Sequence, residues 1–320
     1  MRESALIGGT ARTSLVFPQG RTVGRVEPST DIRDFLISRR ARVSPEQAGV
    51  PDFGYGGKRR VQGLRREEVA MLSGISVEYY THLERGKATG VSHEVLDAIA
   101  RTLQLDDAER AHLFDLVRTA ATGGPVRRRP SQERVRPAVQ QILDSMLTVP
   151  AYVRNGRLDI LAANQLGKAV YSQVFTQAQA QAPNMARFIF LSPQAPEFFT
   201  SWEAIASDTV AILRSEAGRN PYDRRLSDLI GELSTRTDEF RGRWAAHNVK
   251  CHRTGTKQLH HPVVGDLTLA YEALELPADH GQRILVYTAE PASPSDDALK
   301  LLATWAATTS LEEPHADTTR

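Results

Sequence analysis

The stretch from Gly63 to Gly86, GLRREEVAMLSGISVEYYTHLERG, leaves the chain few ways to fold. Its apolar residues Val69, Leu72, Ile75, Tyr80 and Leu83 fall where two short crossing helices bury side chains, and Ala70 and Gly74 are small where those helices must approach closely. Glu67 and Glu68 stand in the first turn of one helix, expected from Arg65 to Ser73, where acids favour the helix dipole. Gly74 breaks it. Ser76 is placed to cap a second helix, Val77 to Arg85, and Gly86 to end it in a left-handed conformation.

The flanking residues predict three more helices. Thr30 or Asp31 can cap one from Ile32 to Val43, with Ile32, Phe35, Leu36 and Ile37 inward and Arg33, Arg39, Arg40 and Arg42 outside; Pro45 ends it. Ser92 caps another, with Val95, Leu96, Ile99, Ala100 and Leu103 on one face, and Asp106 opens a fifth carrying Leu113, Leu116 and Val117. Residues 31–120 therefore predict an all-α, five-helix domain. Residues 1–30, with Gly8, Gly9, Pro18, Gly20, Gly24 and Pro28 and no sustained periodicity, predict a flexible tail.

Beyond this unit the composition shifts. Residues 121–137 carry a glycine pair, three prolines and five arginines, the signature of an exposed basic linker. Residues 138–308 alternate helical and strand patterns. Helices are expected over 139–147, 165–175, 198–214, 224–234, 237–247 and 295–306, and strands over 151–153, 158–162, 249–253, 265–274 and 283–288. That pattern predicts an α+β domain, followed by a short flexible tail over 309–320.

Length and charge narrow the function. With 320 residues, 41% of them hydrophobic, the chain is long enough for two domains with separate cores. The single cysteine, Cys251, excludes an internal disulfide framework, and no apolar run approaches the roughly 18 residues of a membrane helix. A soluble cytoplasmic protein without a membrane partner is expected. The net charge of +2 says little, but no acid interrupts the run from Lys58 to Arg66, which contains Lys58, Arg59, Arg60, Arg65 and Arg66. A one-sided basic field beside paired short helices is what phosphate binding needs.

Double-stranded DNA is therefore the expected partner. With Tyr80 and Leu83 inward, Ser76, Val77, Glu78, Tyr79, Thr81 and His82 lie where a helix meets base edges in the major groove. Arg65 and Arg66 are placed for a phosphate or a guanine, and Lys58, Arg59 and Arg60 for the backbone or minor groove. The alternative is a helical hairpin that binds protein.

The segment LRREEVAMLSGISVEYYTHLERGKATGVSHEVLDAIARTLQLDDAERAHLFDLV resembles the Xre-family helix-turn-helix of actinobacterial regulators. The motifs LAANQLGKAVY, NMARFIFLSP, FFTSWEAIASDTVAILRSEAGR, DEFRGRWAAHNV and HHPVVGDLTLAYEAL resemble the MmyB-like ligand-binding domain that follows it in that family. The resemblance implies a lambda-repressor-like DNA-binding domain, a PAS-like sensor domain and a fatty-acyl or similar apolar effector; a homodimer on a partly palindromic operator is expected. One departure stands out: the family's second helix opens with a Thr or Ser cap and then Gln, where this chain has Arg65 and Arg66.

For a mostly apolar pocket with few polar anchors, the aromatic candidates are Tyr171, Phe188, Trp202, Trp244 and Tyr287, with Arg187, His247 and His261 as carboxylate anchors. The alternative for this domain is a dimerisation or protein-docking module without a ligand. Cys251, His252, His260 and His261 suggest zinc only weakly, since structural zinc sites usually bring two or more cysteines, and no metal or cofactor is expected. The sequence lacks a Gly-x-Ser-x-Gly elbow and a Walker loop, so no catalytic residue is assigned and no enzyme is expected.

Overall fold

A computed structural model describes residues 28–50, 61, 63–88, 90–121, 134–176, 182–249 and 254–312. The N-terminal part is helical: α1 (Pro28–Arg42), α2 (Arg66–Ser73), α3 (Val77–Glu84), α4 (His93–Thr102) and α5 (Asp107–Ala121). Ile32, Phe35, Leu36, Val69, Tyr80, Leu83, Leu96, Ile99, Leu113 and Leu116 form its core. The turn between α2 and α3 is built as its residues predict. Gly74 takes φ 67° and its N–H closes on the α2 carbonyls of Ala70 and Met71, while the Ser76 hydroxyl accepts from the Tyr79 N–H at 3.0 Å. A residue with a Cβ would be strained at that φ.

Two expectations for this part change. Leu72 is 37% exposed, because the α2 face that meets α3 and α4 is carried by Val69, Ala70 and Ser73 instead. Arg39, expected outside, is 2% exposed, and Ile37 is only half-buried. The reason lies in the second part of the chain, which covers this side of α1.

The C-terminal part opens with α6 (Pro137–Ser145), β1 (Ala151–Arg154) and β2 (Ile160–Ala163). Next come the helices α7 (Gln165–Val170), α8 (Ser172–Thr176), α9 (Met185–Leu191), α10 (Ala195–Phe198), α11 (Trp202–Arg219), α12 (Arg224–Arg236) and α13 (Asp238–Ala245). The chain then returns through β3 (Thr254–His261), β4 (Gly265–Glu275) and β5 (Arg283–Thr288), and ends in α14 (Pro294–Glu312). The strands form one antiparallel sheet in the order β2-β1-β5-β4-β3, so the hairpin β1-β2 is stitched to the late strands through β5.

One face of the sheet packs on α7 and on the helices α9 to α13 around Tyr152, Phe188, Phe198, Leu213, Leu259, Leu269 and Tyr287. On the other face Val139 and Leu143 of α6 cover Ala151, Val153 and Ile284. Arg187 to Phe190 belongs to α9. The strand expected over 249–253 is corrected: Val249 is coil and packs into the N-terminal core, residues 250–253 lie outside the described residues, and the strand is β3. Its inward positions are Lys257, Leu259 and His261, so charged and polar residues stand where alternation is normally apolar.

Candidate functional site

The first candidate surface is α3. Tyr80 and Leu83 are buried, Glu78 and His82 are exposed, Tyr79 is 39% exposed, and Val77 and Thr81 are half-buried, so the outward face carries the residues expected to meet base edges. Behind it, Glu84 is buried and joins three helices. Its Oε1 accepts from Arg40 Nε at 3.2 Å and Arg40 Nη2 at 3.0 Å, and its Oε2 accepts from Arg66 Nε. Arg66, expected on DNA, is thus anchored at its Nε while its side chain stays 45% exposed, and Glu84 holds its charge firmly in place. Arg65 is the exposed N-cap of α2, and its backbone N–H donates to Glu68 at 2.6 Å. Lys58, Arg59 and Arg60 lie outside the described residues, as do Arg127 to Arg129 of the linker. At the end of that linker Arg136 pairs with Asp279 at 2.7 Å.

The second site is the seam between the two parts. Arg39 pairs with Glu109 at 3.0 Å and donates from Nη2 to the His247 carbonyl. His247 adopts φ 54°, and its Nδ1 lies 3.0 Å from Arg214 Nη1. Arg214 in turn stacks over Trp244, 4.0 Å from the ring centre, and donates to the Trp244 carbonyl. From α5, Asp115 pairs with Arg219 at 3.2 Å and the Thr119 hydroxyl donates to the Gly218 carbonyl at 3.3 Å. His112 packs so tightly on Gly218 that a Cβ there would sit 2.5 Å from the imidazole. Burial, then the Arg214 and Arg39 charges, hold His112 down at about 3 and His247 at about 4. Burial also lowers Arg214 to about 10 and, against the pull of Arg214, raises Asp31 to about 7.

The third site is a cavity between the sheet and the helices α9 and α11, about 50 Å³ in volume. It is lined by Tyr152, Arg154, Met185, Ile189, Ile205, Asp208, Thr209, Ile212, Lys257 and Tyr271, among others. Arg154 is 3% exposed, makes one 3.3 Å bond to the Asn155 carbonyl, and leaves Nη2 without a partner. Lys257 is 7% exposed and donates to the Tyr287 hydroxyl at 3.2 Å. Burial, then the charge of Arg154, brings Lys257 down to about 7, and burial lowers Arg154 as well. A larger recess of about 220 Å³ lies among α6, α7 and α14, but the Asn164 side chain lining it is fully bonded, to Met146, Val149, Ala151 and Gly167.

The ligand candidates read from the sequence are scattered. Tyr171 and Tyr287 are core residues beside the cavity, their rings 5.6 Å apart, and Tyr287 reaches it through Lys257. Phe188 is core, Trp202 donates to the Ile189 carbonyl at 2.9 Å, and Arg187 pairs with Glu232 at 2.9 Å. Trp244 and His247 belong to the seam. His261 is buried, its Nε2 3.1 Å from the Ala169 carbonyl, while His260 points to the opposite face and pairs with Asp266 at 2.6 Å. None of these lines the cavity. Among the described residues no three His, Cys, Asp or Glu side chains gather as metal ligands; Cys251 and His252 lie outside them. The sequence reading missed Arg154 and Lys257. Their only signal was a charged residue at an inward strand position.

A helix pair with an outward α3 is joined to an α+β domain with a buried charged cavity, and the families that the two parts match make the chain a DNA-binding transcription regulator that carries a ligand-binding domain. Residues 35–113 match a helix-turn-helix domain family, and residues 135–302 match the MmyB-like transcription regulator ligand binding domain. The latter covers more than half of the chain, and the chain belongs to that family. A search of curated proteins found no match. No helix among the described residues is long and apolar enough to cross a membrane.

Proposed function

We propose that this regulator reads DNA through α3 and that an effector in the Arg154-Lys257 cavity controls it through α11. The observation that carries this reading is the double duty of α11. Ile205, Asp208, Thr209 and Ile212 line the cavity, and within two turns beyond Ile212 the charge of Arg214 acts on Asp31 of α1 while Gly218 and Arg219 dock on Thr119 and Asp115 of α5. A ligand that shifts α11 acts on α1 and α5 directly, and differential affinity for two docking states is all that coupling requires.

The C-terminal domain is PAS-like in this reading, and the helical domain lambda-repressor-like. Effector pockets usually run to about 300–1,000 Å³. The present cavity is far smaller, so a ligand with a fatty-acyl or other apolar body has to part α9 from α11 to enter. On DNA, Glu78, Tyr79 and His82 set sequence preference. Arg65 and Arg66, with the Lys58-Arg59-Arg60 run, supply phosphate contacts, and Ser76, Val77 and Thr81 complete the face. A cytoplasmic homodimer on half-sites about one helical turn apart, or a multiple of it, follows from the same reading.

The test is Ile212→Trp, which fills the cavity without touching the DNA-binding part. Operator affinity measured by fluorescence anisotropy changes by about fivefold or more, the lower range of allosteric couplings. Unchanged affinity, together with no small molecule in solvent extracts of the cell-purified protein, would leave the domain as a dimerisation or docking module.

A further inference from the structure

We infer that α1 couples the docking seam to the DNA-binding face: Arg39 takes the seam, Arg40 beside it holds Glu84, and Glu84 is the positioning residue that aims Arg66 at a DNA phosphate. This rests on the reading of Arg66 as a phosphate contact.

Neighbouring positions on a helix point about 100° apart, so the consecutive arginines of α1 face different partners. Arg39 is buried; it pairs with Glu109, lies 4.9 Å over the Phe35 ring and donates to the His247 carbonyl of the C-terminal part. Arg40 turns toward α2 and α3. Its Nη1 donates to the Leu64 carbonyl at 2.8 Å, its own carbonyl accepts from the Leu64 N–H at 3.0 Å, and its Nε and Nη2 bond to Glu84. A Cβ at Gly63 would sit 2.2 Å from that same carbonyl oxygen, so the chain entering α2 is seated directly on α1. Arg66 follows in the first turn of α2.

Arg66 has the form of a clamp. Glu84 Oε2 accepts from its Nε, and that bond strengthens its hold on the positive charge. Among the described residues its Nη1 and Nη2 bond to nothing, and its side chain is 45% exposed. A guanidinium fixed at Nε presents donors in a set direction, the geometry that suits a phosphate. Without Glu84 the side chain spreads over several rotamers, and a contact with DNA then carries the entropy cost of ordering it.

The seam decides where α1 stands. Arg39 Nη1 already lacks a partner, so losing the His247 carbonyl strips the buried guanidinium of its one hydrogen bond among the described residues. A buried donor left without a partner is costly, and α1 shifts to bring it to water. Arg40 then moves against both Leu64 and Glu84. The Glu84 carboxylate serves Arg40 through Oε1 and Arg66 through Oε2, so displacing one arginine disturbs the aim of the other. On the far side of the seam, His247 lies against Arg214 of α11, two residues beyond Ile212 in the cavity wall. The docked arrangement is therefore the one that presents Arg66 to DNA.

The experiment is fluorescence anisotropy of the full-length protein on DNA that the wild type selects from a random library, over a series of salt concentrations. Arg66→Met is expected to make the logarithmic salt slope shallower by about one, the share of a single phosphate contact. Glu84→Gln, which leaves one acceptor oxygen for two guanidinium groups, makes it shallower likewise and keeps the preference for selected over random DNA; a role in stability alone would leave the slope of the folded protein where it was. Arg39→Met weakens binding about fivefold or more, the lower range of allosteric couplings, and also takes about one from the slope. Added to Arg66→Met, it changes affinity by less than about twofold, because the contact it acts through is already gone. Should Arg39→Met not melt cooperatively, Arg214→Met loosens the seam from the α11 side and gives the same readings. Seam variants that bind like wild type, or that weaken binding equally with and without Arg66, overturn the coupling while Arg66 stands as a phosphate contact. A Glu84→Gln slope equal to that of wild type overturns the positioning role. An Arg66→Met slope equal to that of wild type defeats the phosphate reading and the coupling together.

Discussion

Glu84→Ala is the perturbation whose consequence is clearest in the structure. Its carboxylate is 1% exposed and ties Arg40 of α1 and Arg66 of α2 to the last turn of α3, so its loss strands two cations at once. Removing one partner of a buried ion pair costs about 3–5 kcal/mol. Arg40 is 14% exposed and keeps its 2.8 Å bond to the Leu64 carbonyl, and Arg66 is 45% exposed and can turn to water, which places the loss at about the lower end, ~3 kcal/mol. For a domain of fewer than a hundred residues each kcal/mol moves the midpoint by about 4–8 °C, so scanning calorimetry shows the helix-turn-helix transition lowered by about 12–24 °C. Arg66→Ala, which leaves the Arg40 pair intact, costs about 1 kcal/mol. A Glu84→Ala midpoint within about 2 °C of wild type would refute the reasoning, because it would mean that the three helices are held by apolar packing alone.

Three other outcomes follow from the same geometry. His112 is neutral in the folded chain down to about 3 but protonates near 6.5 once unfolded. Its contribution is thus intact above 6.5 and lost as pH falls below it, and His112→Leu removes up to about 1.4 kcal/mol per pH unit from the slope of stability between pH 6 and 4. An unaltered slope in urea titrations would contradict the burial of that imidazole. Gly218→Ala places a methyl 2.5 Å from His112 and loosens the seam by about 1–3 kcal/mol, seen as faster protease cleavage between the two parts without loss of either fold. Gly74→Ala meets no atom within 4 Å and costs only backbone strain at φ 67°, about 1 kcal/mol of unfolding free energy by denaturant titration.

Much of this fold was legible because it is written locally. The caps Ser76 and Ser92, the break at Gly74 and the alternation of Leu267, Leu269 and Tyr271 each act within a few residues, and the observed elements start and stop close to them. What stayed hidden depends on distant contacts. Arg39 reads as a surface residue of an amphipathic helix until His247, more than two hundred positions away, lays its carbonyl on it. Strand β3 was invisible because two of its inward residues are Lys257 and His261, and those break the apolar alternation for the same reason that they mark a site. Arg154 was overlooked at the end of a four-residue strand that is buried on both faces, where an arginine is unexpected. The aromatic candidates failed to converge on the cavity because most of them are simply the sheet-facing core.

The most direct measurement is the operator preference of α3. DNA selected from a random library by the wild-type protein is titrated with wild type and with the combined variant Glu78→Ala, Tyr79→Ala, His82→Ala, over a series of salt concentrations. The predicted result is a collapse of the preference for selected over random DNA, with the logarithmic salt slope unchanged, because the phosphate contacts come from other residues. A variant that keeps its preference would contradict the assignment of α3 as the element that reads DNA.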